Sequence, residues 1–587
     1  MIQLKSCPKR YTKDLDKARS PEETLKWVKD ILKDCGMKIL SEVKRVDVNR
    51  LGIPVYMSVC GSDAKNVMPT RKQMGKGPSV TQAEVSAIME LIERFSFFSF
   101  WKDSSNFYNL SWSEAEKTFK EKLISWKEIV KSTQEDLSYK EFKTLMDLIK
   151  WKFVPALLIK EQKEIYLPVD WFRRLNEFNG SSAGNTFEES ILQGGCELVE
   201  RHVCATIDEK RPILPTIDPS SFKDPVLVKL YNAFQRENIN IWLKDFSLDI
   251  GVPTIGALAY DPATFPEKSE IVFTAGTATS PEKAAIRALT EVAQLAGDFC
   301  TNSRYEASGL SKFKDLKECE WIKKGTYISI QKLPDISDND IYNELINLAK
   351  TLENKGYNLY TVDITHPILK VPCNYNIIPG FLFRERAKNA KIGMFVGRTI
   401  AEELPFEEAY EKLKTIKKCY GDEYFVNFFY GILNLRKSDF EKALEEFELA
   451  EKKVSISEDK ALTLFYIAYV FTQKEEWNKA LYYLNKAIYF DPNHYNFYNL
   501  KGVCLFKLKR FEEAIESFKK AIDLDKGSAI DYANIGICYK HLKKLDLAKE
   551  YLTIALDLEP KLEIAKKHLK ELGCLKDVSN SFIKNNS

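Results

Sequence analysis

The chain has 587 residues, 44% of them hydrophobic and 29% charged, which are the proportions of an ordinary globular protein. This length exceeds that of a usual single domain and indicates two or more domains. The net charge of +3 excludes the strongly basic character of a general nucleic-acid binder, so no nucleic-acid partner is expected.

The amino-terminal residues contain no continuous apolar segment, and no apolar run in the chain is long enough to cross a bilayer. We therefore expect a cytoplasmic protein without a membrane partner. Twelve cysteines occur, but no two of them form a Cys-x-x-Cys pair. This spacing predicts neither a zinc ribbon nor a disulfide framework.

Short apolar segments rich in β-branched and aromatic residues predict strands that alternate with helices. The predicted strands cover residues 53–60, 153–159, 254–260, 357–363 and 380–383. Strands interleaved with helices are typical of an α/β or α+β catalytic domain with layered sheets. We place this domain at residues 1–400.

Three helical segments of this domain carry similar polar patterns between apolar residues. Offsets of three, four and seven lie on one face of a helix, so each segment aligns its polar groups in a stripe. The stripe residues are, in chain order, Ser86, Glu90, Glu93 and Arg94; then Gln193, Glu197, Glu200 and Arg201; then Arg287, Glu291 and Gln294.

The carboxylates of these stripes require cations, because like-charged glutamates repel and a buried unpaired carboxylate is costly. Mg²⁺ prefers oxygen ligands and is typically held by carboxylates together with substrate phosphates, while arginines bind phosphate oxygens. The stripes therefore predict a nucleoside triphosphate with Mg²⁺. A single Glu-x-x-Glu-Arg pattern is also common on an ordinary exposed helix, but three stripes within apolar helices favour a site.

The three patterns SxxxExxER, SxxQGxxExxER and RxxxExxQ stand in this order and resemble the YcaO-domain family, whose members bind ATP through such helices. Neighbouring segments extend the resemblance over residues 1–400: Lys17 to Thr24, Gly75-Lys76-Gly77 and Ser182 to Thr186. The Gly-Lys-Gly segment is not a Walker loop, and taken alone it also fits an exposed loop.

The resemblance implies ATP and Mg²⁺ as cofactors and assigns site residues, without a catalytic side chain beyond them. The implied Mg²⁺ ligands are Glu90, Glu93, Glu197, Glu200 and Glu291. The implied nucleotide contacts are Lys17, Thr24, Lys76, Ser86, Arg94, Asn185, Glu189, Gln193, Arg201, Arg287 and Gln294.

The resemblance also implies an activity, because YcaO proteins activate a backbone amide of a peptide or protein. A nucleophile attacks the amide carbon, and ATP phosphorylates the oxygen so that it can leave. A substrate side chain then gives an azoline ring, sulfide gives a thioamide and an amine gives an amidine. Azoline-forming members often end in a PxPxP tail, whereas the last proline here is Pro560, so thioamidation or a related sulfur modification is favoured.

The partners implied by the resemblance are a peptide or protein substrate and a TfuA-type or sulfur-delivering protein. An alternative from another class is a non-catalytic accessory protein that recruits a methylthiolating or other modifying enzyme and uses ATP only as a switch.

After about residue 405 the sequence repeats. Gly431, Ala468, Gly502 and Gly536 are each followed by alanine after 12 residues, and the last three units repeat every 34 residues. This spacing is typical of tetratricopeptide repeats. We predict an all-α solenoid at residues 405–575, with about four repeats and a capping helix, then a disordered tail at residues 576–587. Such arrays bind peptides on a concave face or serve as dimerisation modules. In similar proteins the domain mediates self-association, which favours a homodimer.

Overall fold

The structure is a computed structural model, and it describes residues 2–300, 310–383, 390–525 and 527–573. The chain divides into two compact units, Met1–Ala390 and a second that begins at Lys391. The first unit has the predicted mixed α/β fold with several sheets, and the second has the predicted run of helices. In the described ranges, no helix combines the length and apolarity needed to cross a membrane. The predicted tail, residues 576–587, lies outside the described residues.

The described part of the first unit contains fourteen strands in three sheets. They are β1 (Leu40–Arg45), β2 (Val55–Cys60), β3 (Lys72–Lys76), β4 (Tyr108–Leu110), β5 (Trp151–Leu158), β6 (Lys163–Pro168), β7 (Ser181–Ala183), β8 (Thr216–Ile217), β9 (Asn240–Asp245), β10 (Thr254–Tyr260), β11 (Val272–Thr277), β12 (Tyr327–Ile328), β13 (Tyr360–Asp363) and β14 (Cys373–Ile377).

The three sheets are almost entirely antiparallel. The first has the order β1-β2-β3, the second β11-β10-β9-β8-β12, and the third β4-β5-β13-β14-β7 with β6 also paired to β5. The exception is the parallel pair β8 and β12. The helices that carry the polar stripes pack against these sheets.

Twelve α-helices lie in the described part of the first unit. They are α1 (Pro21–Asp34), α2 (Ser62–Val67), α3 (Val80–Lys102), α4 (Trp112–Phe119), α5 (Trp126–Lys131), α6 (Tyr139–Met146), α7 (Val169–Asn176), α8 (Phe187–Lys210), α9 (Pro225–Arg236), α10 (Pro281–Ala296), α11 (Glu320–Lys323) and α12 (Ile341–Asn354).

The polar stripes lie on α3, α8 and α10, which begin at identifiable caps. The Ser79 side chain accepts a hydrogen bond from the backbone N–H of Gln82, and the Thr186 side chain accepts one from Glu189. Helix α10 begins with Pro281, which suits the first helical turn because its missing N–H would have no partner there.

The stripe helices pack on the sheets: α3 mainly on β2 and β3, α8 mainly on β14 and β7, and α10 mainly on β10 and β11, while α3 also contacts β7. Two strand glycines permit the close approach. A Cβ at Gly75 would lie 2.5 Å from the backbone oxygen of Ala83, and one at Gly276 would lie 2.6 Å from that of Ala284. Since real Cβ atoms do not approach so closely, these glycines let the backbones of α3 and α10 rest directly on their strands.

Four of the five strands predicted from the sequence are confirmed, and they correspond to β2, β5, β10 and β13. The predicted strand at residues 380–383 is wrong. Gly380 has a φ of +91°, and the N–H of Phe381 donates to the carbonyl of Ile378 at 3.2 Å, so the chain turns after β14. Phe381 is fully buried, which explains why its segment resembled a strand in the sequence.

The described part of the second unit consists of eleven helices. They are α13 (Ile392–Glu403), α14 (Phe406–Tyr420), α15 (Tyr424–Arg436), α16 (Phe440–Lys453), α17 (Ser457–Gln473), α18 (Trp477–Phe490), α19 (Tyr495–Lys507), α20 (Phe511–Leu524), α21 (Ala529–His541), α22 (Leu545–Leu558) and α23 (Glu563–Glu571). Successive helices from α15 to α22 pack as pairs. The repeated alanines Ala443, Ala480, Ala514 and Ala548 are all fully buried, so small residues permit the pairs to pack closely.

The glycine contacts yield a stability prediction. Gly276→Ala should lower the free energy of unfolding by about 2–3 kcal/mol, because the added methyl group overpacks the contact between β11 and α10. Tryptophan fluorescence during urea unfolding reports on the first unit, since eight of the nine tryptophans precede Lys391.

Gly36→Ala provides the comparison for this variant. Gly36 has a φ of +71°, and no atom lies within 4 Å of the position that an added Cβ would take. The strained backbone conformation should therefore be the only cost, and it should lower the free energy of unfolding by about 1 kcal/mol. Equal losses for the two variants would contradict the close approach of α10 to its strand.

Candidate nucleotide and magnesium site

An open cavity of about 350 Å³ lies in the first unit, and all sixteen residues predicted as nucleotide or metal contacts line it. The amino-terminal segment and α1 contribute Lys17 and Thr24; β3 contributes Lys76; α3 contributes Ser86, Glu90, Glu93 and Arg94; Asn185 precedes α8; α8 contributes Glu189, Gln193, Glu197, Glu200 and Arg201; and α10 contributes Arg287, Glu291 and Gln294. The fold thus brings three sequence-distant stripes to one place.

Four of the five predicted metal ligands contact cations of the cavity. Arg94 lies 3.1 Å from Glu93 and 3.9 Å from Glu90, and Arg201 lies 3.6 Å from Glu197. Lys76 pairs with Glu291 in the same way. Across the described ranges, no three histidine, cysteine or acidic side chains converge tightly enough to form a metal site by themselves. Ligation by the five glutamates therefore stays a prediction.

Burial shifts the pKa values of charged side chains that line the cavity. It raises the pKa of Glu93 to about 8, although the adjacent Arg94 opposes the shift. Burial also raises the pKa of Glu90 and of Glu200. The pKa of Lys76 falls to about 8 because of burial and because Arg287 and Arg201 lie nearby. Charges of both signs are thus partly desolvated and would gain from a ligand that supplies both.

The amino-terminal side of the cavity is held by hydrogen bonds around Glu189. This carboxylate accepts the backbone N–H of Ala18 at 2.9 Å and the amide of Asn185 at 3.1 Å, and it lies 3.2 Å from the Lys17 ammonium. The Thr24 hydroxyl donates to the amide oxygen of Asn185 at 2.9 Å. These contacts bring the amino-terminal segment and α1 against the start of α8.

Arg287 links α10 to α8, because its Nη1 donates to the Gln193 amide oxygen at 2.8 Å. The buried Nε of Arg287 has no hydrogen-bond partner among the described residues. A donor of this kind in a cavity wall suits an anionic oxygen.

The donors of the cavity fit a nucleoside triphosphate bound with Mg²⁺. Six cationic and six acidic side chains line it, so the charges balance when all six carboxylates are ionised. A polyphosphate alone would disturb the balance, whereas a polyphosphate with divalent cations would preserve it. The oxygen ligands are also those that Mg²⁺ prefers.

Three polar residues that line the cavity were not predicted from the sequence: Arg19, Gln82 and Thr290. Gln82 lies four residues before Ser86, so the helical spacing of the first stripe could have indicated it. Arg19 lies 4.4 Å over the Trp27 ring, a contact that spacing alone does not show. The Thr290 hydroxyl donates to the carbonyl of Ile286 at 3.0 Å. No motif in the sequence indicates Thr290 as a site residue.

The raised pKa of Glu93 predicts how Mg²⁺ stabilisation depends on pH. The pKa of Glu93 rises from 4.5 in the unfolded chain to about 8 in the folded protein, so folding favours the protonated carboxyl group. Its contribution to the free energy of unfolding is therefore fully present below a pH of 4.5 and is lost as pH rises through about 8. A bound divalent cation offsets the ionised carboxylate. The increase in Tm caused by Mg²⁺ should therefore be larger at about pH 9 than at about pH 6.

Thermal unfolding of the wild type and of Glu93→Gln, with and without Mg²⁺, measures this dependence. The variant should lose the growth of the Mg²⁺ effect with pH, whereas Glu42→Gln, at an exposed position on β1, should retain it. A wild-type Mg²⁺ effect that is the same at both pH values would contradict the assignment of Glu93.

Comparison with known protein families gives an independent identification. The model of YcaO cyclodehydratase, described as ATP- and Mg²⁺-binding, matches residues 74–382, and tetratricopeptide repeat models match residues 495–528 and 532–562. The cofactors predicted from the sequence, ATP and Mg²⁺, are thereby confirmed for the family.

The curated relatives of the chain include two uncharacterised proteins. An uncharacterised protein of Methanothermobacter thermautotrophicus is 27% identical over 379 residues, which cover 61% of this chain and 93% of the relative. An uncharacterised protein in the tfuA 3′ region of Rhizobium leguminosarum bv. trifolii is 26% identical over 291 residues, which cover 48% of this chain and 66% of the relative.

A solved structure described as a heterocyclase in complex with substrate and cofactor is also similar in fold. It is 19% identical, with a TM-score of 0.51, and the match covers 68% of this chain and 57% of the heterocyclase. At this identity the similarity concerns the fold alone. The YcaO model, in contrast, spans more than half of the sequence. The chain therefore belongs to the YcaO family and carries tetratricopeptide repeats in its second unit.

Proposed function

We propose that this protein uses ATP and Mg²⁺ to activate a backbone amide of a peptide or protein, so that sulfide can replace the amide oxygen. The observation that carries the proposal is the single cavity lined by all sixteen predicted contacts, with balanced acidic and cationic side chains. Membership of the YcaO family supports the general class of reaction, which is ATP-dependent chemistry on peptides.

When bound, ATP supplies the phosphoryl group that turns the amide oxygen into a leaving group, and Mg²⁺ offsets the phosphate charge. The residues of the chain position the nucleotide and neutralise its charge. Lys76 and Arg287 provide donors for phosphate oxygens, and the glutamates of α3, α8 and α10 hold the divalent cation. Fixed donors in a partly desolvated cavity stabilise developing negative charge without reorganising, which is how such sites accelerate phosphoryl transfer.

The proposed reaction balances without a nucleophile from the protein. The amide and sulfide react with ATP to give a thioamide, ADP and phosphate, and the amide oxygen leaves in the phosphate. Cys196 does not suit the role of a sulfur carrier, because it is 4% exposed and burial raises the pKa of its thiol to about 12. The relative from the tfuA 3′ region supports sulfur chemistry and a TfuA-type or sulfur-delivering partner.

The proposal also includes the self-association of the protein and its location in the cell. The repeat unit would join two copies of the chain, and the protein would act in the cytoplasm. If the protein were instead an accessory factor, it would bind ATP without consuming it in proportion to modified amide, so binding and turnover together separate the two cases.

Binding of ATP provides the first test. Calorimetric titration should show binding that requires Mg²⁺, and Glu200→Gln should weaken it at least about tenfold, because a proposed ligand of the cation is lost. Glu353→Gln serves as the control, since this glutamate is exposed and pairs with Lys160 on the surface. Binding that survives Glu200→Gln unchanged would contradict the site.

Sulfur incorporation is the second test. Cells that lack the gene should contain a protein whose peptide mass is lower by the difference between sulfur and oxygen, and the wild-type gene should restore the mass. The Glu200→Gln gene should fail to restore it. With purified substrate, ADP release in proportion to thioamide supports an enzyme, whereas thioamide formation without ADP release would leave only the accessory role.

A further inference from the structure

Two arginines stacked on aromatic rings form a row beside the cavity. The guanidinium of Arg94 lies 4.3 Å from the centre of the Phe178 ring, and that of Arg173 lies 4.3 Å from the centre of the Trp101 ring. Both contacts join α3 to α7 or to the loop after α7. We call these four residues the arginine–aromatic row.

The row begins at the cavity and leads away from it. Arg94 lines the cavity, whereas the other three residues do not. Arg94 and Trp101 are seven residues apart on α3 and therefore lie on the same face, about 10 Å from each other along the helix. An extended peptide advances about 3.3 Å per residue, so about three residues span the row.

Phe178 is a partly exposed aromatic residue: 37% of it is exposed, and it stacks on Arg94, which lines the cavity. Its loop is fixed by hydrogen bonds. The N–H of Glu177 donates to the Arg173 carbonyl at 2.7 Å, the Tyr375 hydroxyl donates to the Glu177 carbonyl at 3.1 Å, and the N–H of Ser181 donates to the Phe178 carbonyl at 3.0 Å. A fixed, exposed aromatic ring is a suitable contact for a peptide.

Arg173 differs from Arg94 in its charge partners. Arg94 pairs with Glu93 at salt-bridge distance. Arg173 forms no ion pair among the described residues, and the Asp170 carboxylate, three residues earlier on α7, acts on it only electrostatically. The side-chain contacts of Arg173 are the rings of Trp101 and Phe97, and burial lowers the pKa of its guanidinium. A half-buried arginine on an aromatic ring gains strongly from an incoming carboxylate, which it can bind with two hydrogen bonds.

We propose that the arginine–aromatic row binds the peptide substrate and that Arg173 selects an acidic residue about three positions from the activated amide. This inference rests on the proposed function, because the amide must lie at the cavity end of the row, near Arg94 and the glutamates. Phe178 contacts the residues between the amide and the acidic side chain. The row thus determines which amide of a substrate reaches the phosphate.

Short fluorescein-labelled peptides test the proposal. Each is built from glycine, alanine and serine and carries one glutamate, and a matched peptide carries glutamine instead. Binding is measured by fluorescence anisotropy with the full chain, Mg²⁺ and a non-hydrolysable ATP analogue. The wild type should bind the glutamate peptides about tenfold more tightly, the effect expected of a charged hydrogen bond.

Variants assign this preference to residues. Arg173→Met should remove the difference between glutamate and glutamine peptides, and Arg173→Lys should retain part of it. Phe178→Ala should weaken both peptides equally. Arg236→Met is the control, because Arg236 lies on α9 and is 67% exposed, and it should behave as wild type.

The outcomes separate this inference from the proposed function. Calorimetry with the ATP analogue and unfolding temperatures establish that each variant is folded and binds nucleotide. If the wild type binds the analogue but shows no glutamate preference, or if Arg173→Met keeps the preference, the inference is overturned and the ATP site stands. If the wild type binds no analogue, the proposed function fails first.

Discussion

Charged side chains can be buried between helices only when opposite charges offset each other, and the first unit is built around such a balance. Six acidic and six cationic side chains line one cavity, contributed mostly by α3, α8 and α10. These helices must hold their positions for the charges to face each other. Close packing of α3 and α10 against strand glycines Gly75 and Gly276 supplies the required rigidity.

The same balance explains why the cavity suits both a polyphosphate and a divalent cation. Ion pairs such as Lys76 with Glu291 and Lys17 with Glu189 join groups that the family resemblance assigns to nucleotide or to metal. In our account, phosphate oxygens and Mg²⁺ replace these mutual contacts, so that each charge keeps a partner of opposite sign. The cavity then needs little reorganisation, which is the condition for effective electrostatic stabilisation.

The stripes and the repeats could be predicted from the sequence because both depend on local spacing. The fold then brings Glu90, Glu197 and Glu291 from three helices into one cavity. Prediction from the sequence failed where a feature depends on tertiary contacts. Residues 380–383 are apolar and buried but turn after β14. Arg173 and Phe178 were not predicted either, because their role depends on packing against α3. No periodicity in the sequence of α7 indicates these contacts.

The most direct test of the account replaces Mg²⁺ with paramagnetic Mn²⁺. Electron paramagnetic resonance of the protein with Mn²⁺ and ATP should show bound Mn²⁺ coupled to the phosphorus nuclei of ATP, and the signal should fall sharply in Glu197→Gln. That result would place a carboxylate-held cation on the nucleotide phosphates. A spectrum identical to that of Mn²⁺ and ATP without protein would contradict the claim that the glutamate stripes hold the metal.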